Sequence, residues 1–203
     1  MCGRYTLAAS NKLDLSALVR EVPDRFNIAP QSEVVVETQL DGLTLKSWSL
    51  SPPWAVPPMH LFNARLETLD EKPSFKGSLR CVFMADGWYE WQRFAHSKHP
   101  WYHHREGELI RFGGVYHPSS GCAIVTTAAQ PEIAHIHHRQ PVLLTAHGAA
   151  GWLDGASASD CMSDYPVAIH KVSSSVNDAR LDSPNLTLPI EIETSDDVQG
   201  SLF

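Results

Sequence analysis

The sequence predicts an α+β fold: a single domain with a β-rich core, a curved mixed sheet or barrel-like, and short flanking helices. Three observations lead there. Fourteen Pro and 12 Gly are scattered along 203 residues, which leaves apolar runs too short for long helices. Several of those runs alternate apolar with polar residues and are separated by turn dipeptides. A chain of 22.5 kDa with 43% hydrophobic residues can bury one substantial core and lies in the usual single-domain range.

Taken in order, Ser10 is placed to cap a short helix through Leu13, Ala17, Leu18 and Val22, ended by Pro23. Val34–Val36 and Leu43–Leu50 read as strands joined by an Asp41-Gly42 turn. Ser51–Pro58 carries four Pro and is expected to be an ordered loop. Further strands are expected at Arg80–Ala85, Trp88–Arg93, Trp101–His104, Leu109–Tyr116, Ala123–Thr127 and Val142–Leu144, with turns at Glu106-Gly107 and Ser119–Gly121. Short helices are expected at Ala64–Asp70, Pro131–His137 and Ala146–Leu153. Residues 1–190 make up the domain, and 191–203 are expected to be a flexible acidic tail.

No apolar stretch approaches the roughly 18 residues that span a bilayer, and the N-terminus lacks a sustained signal-peptide core. A cytoplasmic monomer with no membrane partner is expected, associated with the nucleoid in a bacterial host. Cys2, Cys81, Cys122 and Cys161 are widely spaced without a Cys-x-x-Cys pair, so reduced thiols are expected. His135-x-His137-His138 and His103-His104 offer only a compositional hint of metal, and neither a metal nor another cofactor is expected.

A net charge of −7 argues against phosphate binding until its distribution is read. Residues 1–140 carry 14 Lys+Arg against 14 Asp+Glu, whereas 141–203 carry 2 against 9. A local basic groove in the first part is compatible with that balance.

Cys2 follows the initiator Met directly. Removal of Met1 would leave an α-amine and a thiol on adjacent carbons, with reference pKa values of about 7.7–8.0 and 8.5, both available near neutral pH. An aldehyde can form an imine with such an amine, and the thiol can then close a thiazolidine ring. Position alone does not separate this chemistry from a small buried residue at a chain end.

Met-Cys-Gly-Arg-Tyr-Thr at the start is followed, in order, by Phe26–Pro30, Trp48–Ala55, Asn63–Thr68, Asp86–Trp91, Thr126–Ala129, Ile136–Pro141 and Val172–Asn177. This series resembles the SOS-response-associated peptidase family over nearly the whole domain. Ser49, Leu66, His138 and Gln140 depart from the family's usual residues at those places. The resemblance implies a β-rich fold, self-removal of Met1 by a Cys-type peptidase activity, a lyase-like activity beside it, and covalent capture of abasic sites in single-stranded DNA through Cys2.

Residue by residue, the resemblance implies that Cys2, Asn63, Glu90 and His137 are the catalytic set. The chemistry fits these types. An abasic sugar is mostly a closed hemiacetal, so ring opening and loss of water need an acid and a base at hand. Glu90, flanked by Trp88, Tyr89 and Trp91, is either a solvent-facing strand residue or a carboxyl in an apolar cleft with a raised pKa. Arg4, Arg65 and Arg139 lie beside these motifs and are candidates for phosphate contacts. Thr127 joins them as a DNA-contact candidate. Trp48 and Trp54 flank the Pro-rich loop and are candidates for base stacking, worth roughly 1–3 kcal/mol per base, with core packing the alternative.

Two other readings use the same residues. Cys2, His137 and Asn63 would also suit a Cys-dependent peptidase or amidohydrolase. A non-covalent single-stranded DNA-binding module, with Cys2 incidental, would need only the arginines and tryptophans.

Overall fold

Two sheets build most of the computed structural model, in which residues 2–8, 13–16, 18, 21–95 and 97–190 are described. The strands among them are β1 (Tyr5–Leu7), β2 (Arg25–Ile28), β3 (Glu33–Thr38), β4 (Gly42–Ser47), β5 (Asn63–Arg65), β6 (Leu79–Ala85) and β7 (Gly87–Arg93). They continue with β8 (Lys98–His104), β9 (Ile110–His117), β10 (Gly121–Ala128), β11 (Arg139–Pro141), β12 (Leu143–Leu144) and β13 (Ala168–Lys171). The helices are α1 (Ala146–Leu153) and α2 (Ala158–Cys161).

One sheet runs β13-β8-β7-β1-β2, all antiparallel. The other runs β11-β10-β9-β6-β3-β4, with β12 pairing to β9 and β5 lying parallel to β10. Neither closes into a barrel, so the curved open sheet is the part of the expected architecture that forms.

The core lies between the sheets. Trp48 is fully buried, its ring edge-on to Tyr5 at 5.2 Å and to Phe83 at 6.3 Å. Aromatic pairs of this kind add about 0.5–1.5 kcal/mol each beyond area burial. A second cluster, Tyr89, Tyr102, Val172, Val176 and Leu186, covers the opposite face of the first sheet with the C-terminal segment. Thr6 Oγ1 ties β1 to this region by bonding Asp86 and the hydroxyl of Tyr102, the latter at 2.9 Å.

The Asp41-Gly42 turn forms with Gly42 at φ +62°, a left-handed conformation that costs glycine nothing. Glu106-Gly107 also turns as expected. Helix α1 spans the expected residues, and the side chain of Thr145 caps it by accepting from the Gly148 N–H at 2.7 Å. It packs on β9 where Gly113 offers room: a Cβ there would lie 3.2 Å from the Trp152 ring. Trp152 Nε1 donates to the Cys81 and Gly114 carbonyls at 3.0 and 3.1 Å, which satisfies its buried donor.

Two expected helices are corrected. Ala64–Asp70 begins instead in β5 and continues as a 3-10 turn over Leu66–Thr68, because Asn63–Arg65 pairs with Ile124–Thr126. Pro131–His137 is a run of turns: Ile133 and Ile136 do bury three residues apart, but the chain bends between them. Of the helix expected from Ser10 to Val22, Ser10 and Ala17 lie outside the described residues. Leu13–Ser16 is a bend and turn, with the Leu18 N–H donating to the Leu15 carbonyl. The tail 191–203 also lies outside them.

Candidate active site

The N-terminal strand sets the site. The Tyr89 N–H donates to the Arg4 carbonyl at 2.9 Å, and the Asp86 N–H to that of Thr6 at 3.0 Å, which docks the start of the chain on β7. This places Cys2 near Glu90. Cys2 is wholly buried. Burial, followed by the nearby Glu90 charge, pushes its thiol well above the usual range, so the sulfur stays protonated at neutral pH.

Asn63 reaches the same point from β5, held there by the parallel pairing of β5 with β10. Its Nδ2 donates to the Cys2 carbonyl at 2.8 Å. Its Oδ1 is buried with no hydrogen-bond partner among the described residues.

Glu90 is 4% exposed, and burial raises its carboxyl above the ordinary carboxylate range. Glu90 is therefore not a solvent-facing strand residue, and of its three aromatic neighbours in sequence only Trp91 shares the lining of the mainly polar cavity beside it. His137 Nδ1 lies 4.0 Å from Glu90 Oε1 and 3.1 Å from both the backbone N and O of Arg139. Burial lowers the proton affinity of His137, and the charges of Arg93 and Arg139 add to that effect against the Arg139 backbone bond. A buried acid beside a neutral imidazole can pass a proton at physiological pH.

A cavity of about 260 Å³ opens beside this pair, lined among others by Gly3, Arg4, Glu90, Trp91 and His137. A larger one of about 620 Å³ lies beside the Pro-rich loop, but Ser and Pro dominate its lining and it holds no carboxylate. The chemistry therefore points to the smaller cavity.

The remaining candidates separate. Arg4 lines the cavity, and its Nη1 already donates to Asn27 Oδ1 at 2.7 Å and to the Val176 carbonyl at 2.9 Å. Arg139 forks onto Glu67 at 3.1 and 2.9 Å and also bonds the Thr126 carbonyl. Arg65 is exposed, Thr127 is half-buried opposite Gln140, and Trp54 is 61% exposed on the loop. Trp48 is corrected: fully buried, with Nε1 donating to the Phe62 carbonyl at 2.8 Å, it packs the core and has no face to offer a base.

His135 and His138 are at the surface, and no cluster of three metal-ligating side chains occurs among the described residues. Arg93, Lys98 and Asn177 also line the cavity; Asn177 ends the Val172–Asn177 segment without having been given a role, and Arg93 and Lys98 lie outside the motifs. For Arg93 and Lys98 the available signal was two basic residues bracketing the hairpin just after Glu90-Trp91.

The SOS response associated peptidase (SRAP) family profile matches residues 1–179. The chain belongs to the SRAP family. Among the relatives of this SRAP chain is a Bacillus subtilis (strain 168) protein named abasic site processing protein YoqW. It is 30% identical, over 92% of this chain and 98% of the relative. Abasic site processing protein YedK of Escherichia coli (strain K12) is 27% identical over 94% of this chain and the whole of its own length. A solved structure of a Bacteroides thetaiotaomicron protein superposes with a TM-score of 0.75 at 18% identity, covering 94% of this chain and all of that one. That likeness shows the shared fold. No helix among the described residues is long and apolar enough to cross a membrane.

Proposed function

We propose that this SRAP protein processes abasic sites in single-stranded DNA, releasing Met1 and joining Cys2 to the ring-opened sugar as a thiazolidine. The observation that carries this reading is the convergence of four residues from distant parts of the chain. Asn63 donates to the Cys2 backbone carbonyl, Glu90 is near enough for its charge to act on the Cys2 thiol, and Glu90 is 4.0 Å from His137.

Hydrolysis of the Met1–Cys2 amide consumes one water and frees the α-amine. Glu90 carries protons to and from that nitrogen, since burial raises its carboxyl and makes it a better proton acceptor than an exposed carboxylate. Asn63 holds the Cys2 carbonyl, and its Oδ1 is left to accept from the amine. His137 acts on the sugar oxygen as the hemiacetal opens.

The amine adds to the aldehyde carbon and water departs to give the imine. The Cys2 sulfur then bonds to that carbon, and the thiol proton ends on nitrogen. A buried, protonated thiol suits this order, with the amine first and sulfur second. Arg65 and Trp54, both exposed, together with Arg4, Arg139 and Thr127, are the proposed contacts to the DNA strand, with phosphate contacts giving binding that weakens with salt.

The test is reaction of the Met1-processed protein with DNA carrying one abasic site, with the α-amine free or blocked by a residue ahead of Cys2. The proposal expects an adduct only with the amine free. A thiol-only hydrolase would act in both cases, and a passive binding module would give no adduct in either.

A further inference from the structure

We propose that Arg93 and Lys98 form a phosphate subsite at the mouth of the Glu90–His137 cavity, holding the phosphodiester of the damaged nucleotide. This rests on the reading of the cavity as the place of abasic-sugar chemistry. Arg93 ends β7 and Lys98 begins β8, and the two are direct cross-strand partners. Both are exposed, and both line the cavity.

Like charges placed directly opposite each other destabilise a strand pair unless something neutralises them. Nothing in the described residues does so. Arg25, Lys46, Arg139 and Arg180 each have a carboxylate within ion-pair distance, whereas neither Arg93 nor Lys98 has one. What sets these two cations apart from the other Lys and Arg without an acid is that they face each other across a strand pair and both line the cavity.

The rest of the lining repeats the pattern. Arg4 adds a third cation, and the one carboxyl in the lining is Glu90, whose burial favours its neutral form. Trp91 sits on the same strand, its Nε1 donating to Asn177 Oδ1 at 2.8 Å, and the Lys98 ammonium lies over its ring at 5.8 Å. That contact gives Lys98 a preferred position at the rim. Arg93 supplies a planar fork matched to two phosphate oxygens, and Lys98 a point charge. About 260 Å³ is at the small end for ligand sites and suits one sugar phosphate better than a stacked base pair.

The subsite also has a chemical consequence. The Arg93 charge depresses the proton affinity of His137, and a phosphate that neutralises Arg93 lifts that depression. Burial remains the larger cause of the lowered proton affinity of His137, so the bound phosphate removes only the smaller part that comes from Arg93.

Two experiments on the full chain separate this from the covalent chemistry. In the first, Cys2→Ala protein binds single-stranded DNA carrying a tetrahydrofuran abasic analogue, which has no aldehyde, and affinity is followed against salt. The Arg93→Gln, Lys98→Gln double variant is expected to reduce the salt slope by roughly 0.7, the value for one single-strand phosphate contact, and each single variant by part of it. An unchanged slope in the double variant would overturn the subsite.

In the second, Met1-processed protein is offered 2-deoxyribose 5-phosphate or 2-deoxyribose, and the adduct is read by intact mass. The phosphorylated sugar should react at lower concentration, and the preference should fall to near one in the double variant. Equal reaction of the two sugars with unaltered protein would overturn the placement on the damaged nucleotide. Absence of adduct with either sugar would instead refute the covalent reading, leaving the salt slope to judge the subsite.

Discussion

Replacing Asn63 with Asp changes one donor into an oxygen at nearly constant shape, at the contact that fixes Cys2. In the native protein Asn63 Nδ2 donates to the Cys2 carbonyl at 2.8 Å, and Cys2 is fully buried. The variant loses that bond and sets two oxygens against each other, with the carbonyl left unsatisfied. A lost hydrogen bond to a buried group costs about 1–3 kcal/mol, and the facing oxygens put this case in the upper half of that range. If the bond stabilises the transition state by that much more than the resting protein, about 2–3 kcal/mol corresponds to a slowing of roughly 30- to 150-fold. Acid should partly rescue the variant, because a protonated carboxyl regains an O–H donor. The assay is the single-turnover rate of adduct formation on denaturing gels between pH 5 and 8, with DNA binding measured in parallel. A rate at pH 7.5 within about threefold of the native protein, with binding unchanged, would refute the positioning role of Asn63.

Other consequences can be measured in the same preparation. Glu90→Gln should slow adduct formation by roughly 10²- to 10⁴-fold while leaving binding intact; retention of the native rate would remove Glu90 from the chemistry. The same variant should be more stable than the native protein at neutral pH. A carboxyl raised in the folded state holds its proton more tightly there than unfolded, so native stability falls as pH rises from about 4.5 through the raised value. Denaturant melts across pH 4–8 should show the stability of Glu90→Gln relative to the native protein growing as pH rises, and a constant difference would contradict the raised carboxyl. Trp54→Ala should weaken strand binding by about 1–3 kcal/mol with little change in Tm. Trp48→Ala should instead cost about 3–5 kcal/mol of stability, seen as a large fall in Tm, and equal effects of the two on binding alone would contradict their placement. Gly121→Ala should be destabilising by more than about 1 kcal/mol in thermal melts, because φ is +86° and the new Cβ would lie 2.6 Å from the Ser47 and Ser49 carbonyl oxygens.

Local chemistry made some of the fold legible. The Asp41-Gly42 hairpin, the long strands β6, β7, β9 and β10, and helix α1 follow from turn residues and periodicity that act over a few residues. The strands β1, β5 and β13 are three or four residues each, and tertiary pairing fixes them. Tyr5, Thr6 and Leu7 are all buried, so β1 shows none of the alternation that would mark it. Asn63–Arg65 is extended only because Ile124–Thr126 lies beside it.

The same division holds for the site. Cys2, Asn63, Glu90 and His137 could be singled out because each sits in a segment that resembles the family's, and the structure places Asn63 on the Cys2 carbonyl and Glu90 4.0 Å from His137. Their environment could not be read from the sequence. Whether a tryptophan beside a loop faces the core or the solvent depends on the second sheet, which is why Trp48 and Trp54 part ways. Arg93 and Lys98 were also hidden, since their pairing depends on the register of a hairpin whose strands were placed with different ends.

The most direct test of the central claim is a denaturing gel of Met1-processed protein mixed with single-stranded DNA carrying one abasic site, run beside Cys2→Ala and undamaged DNA. The account predicts a shifted band that survives denaturation and requires both the lesion and Cys2. No such band, with Met1 removal verified by mass, would contradict it.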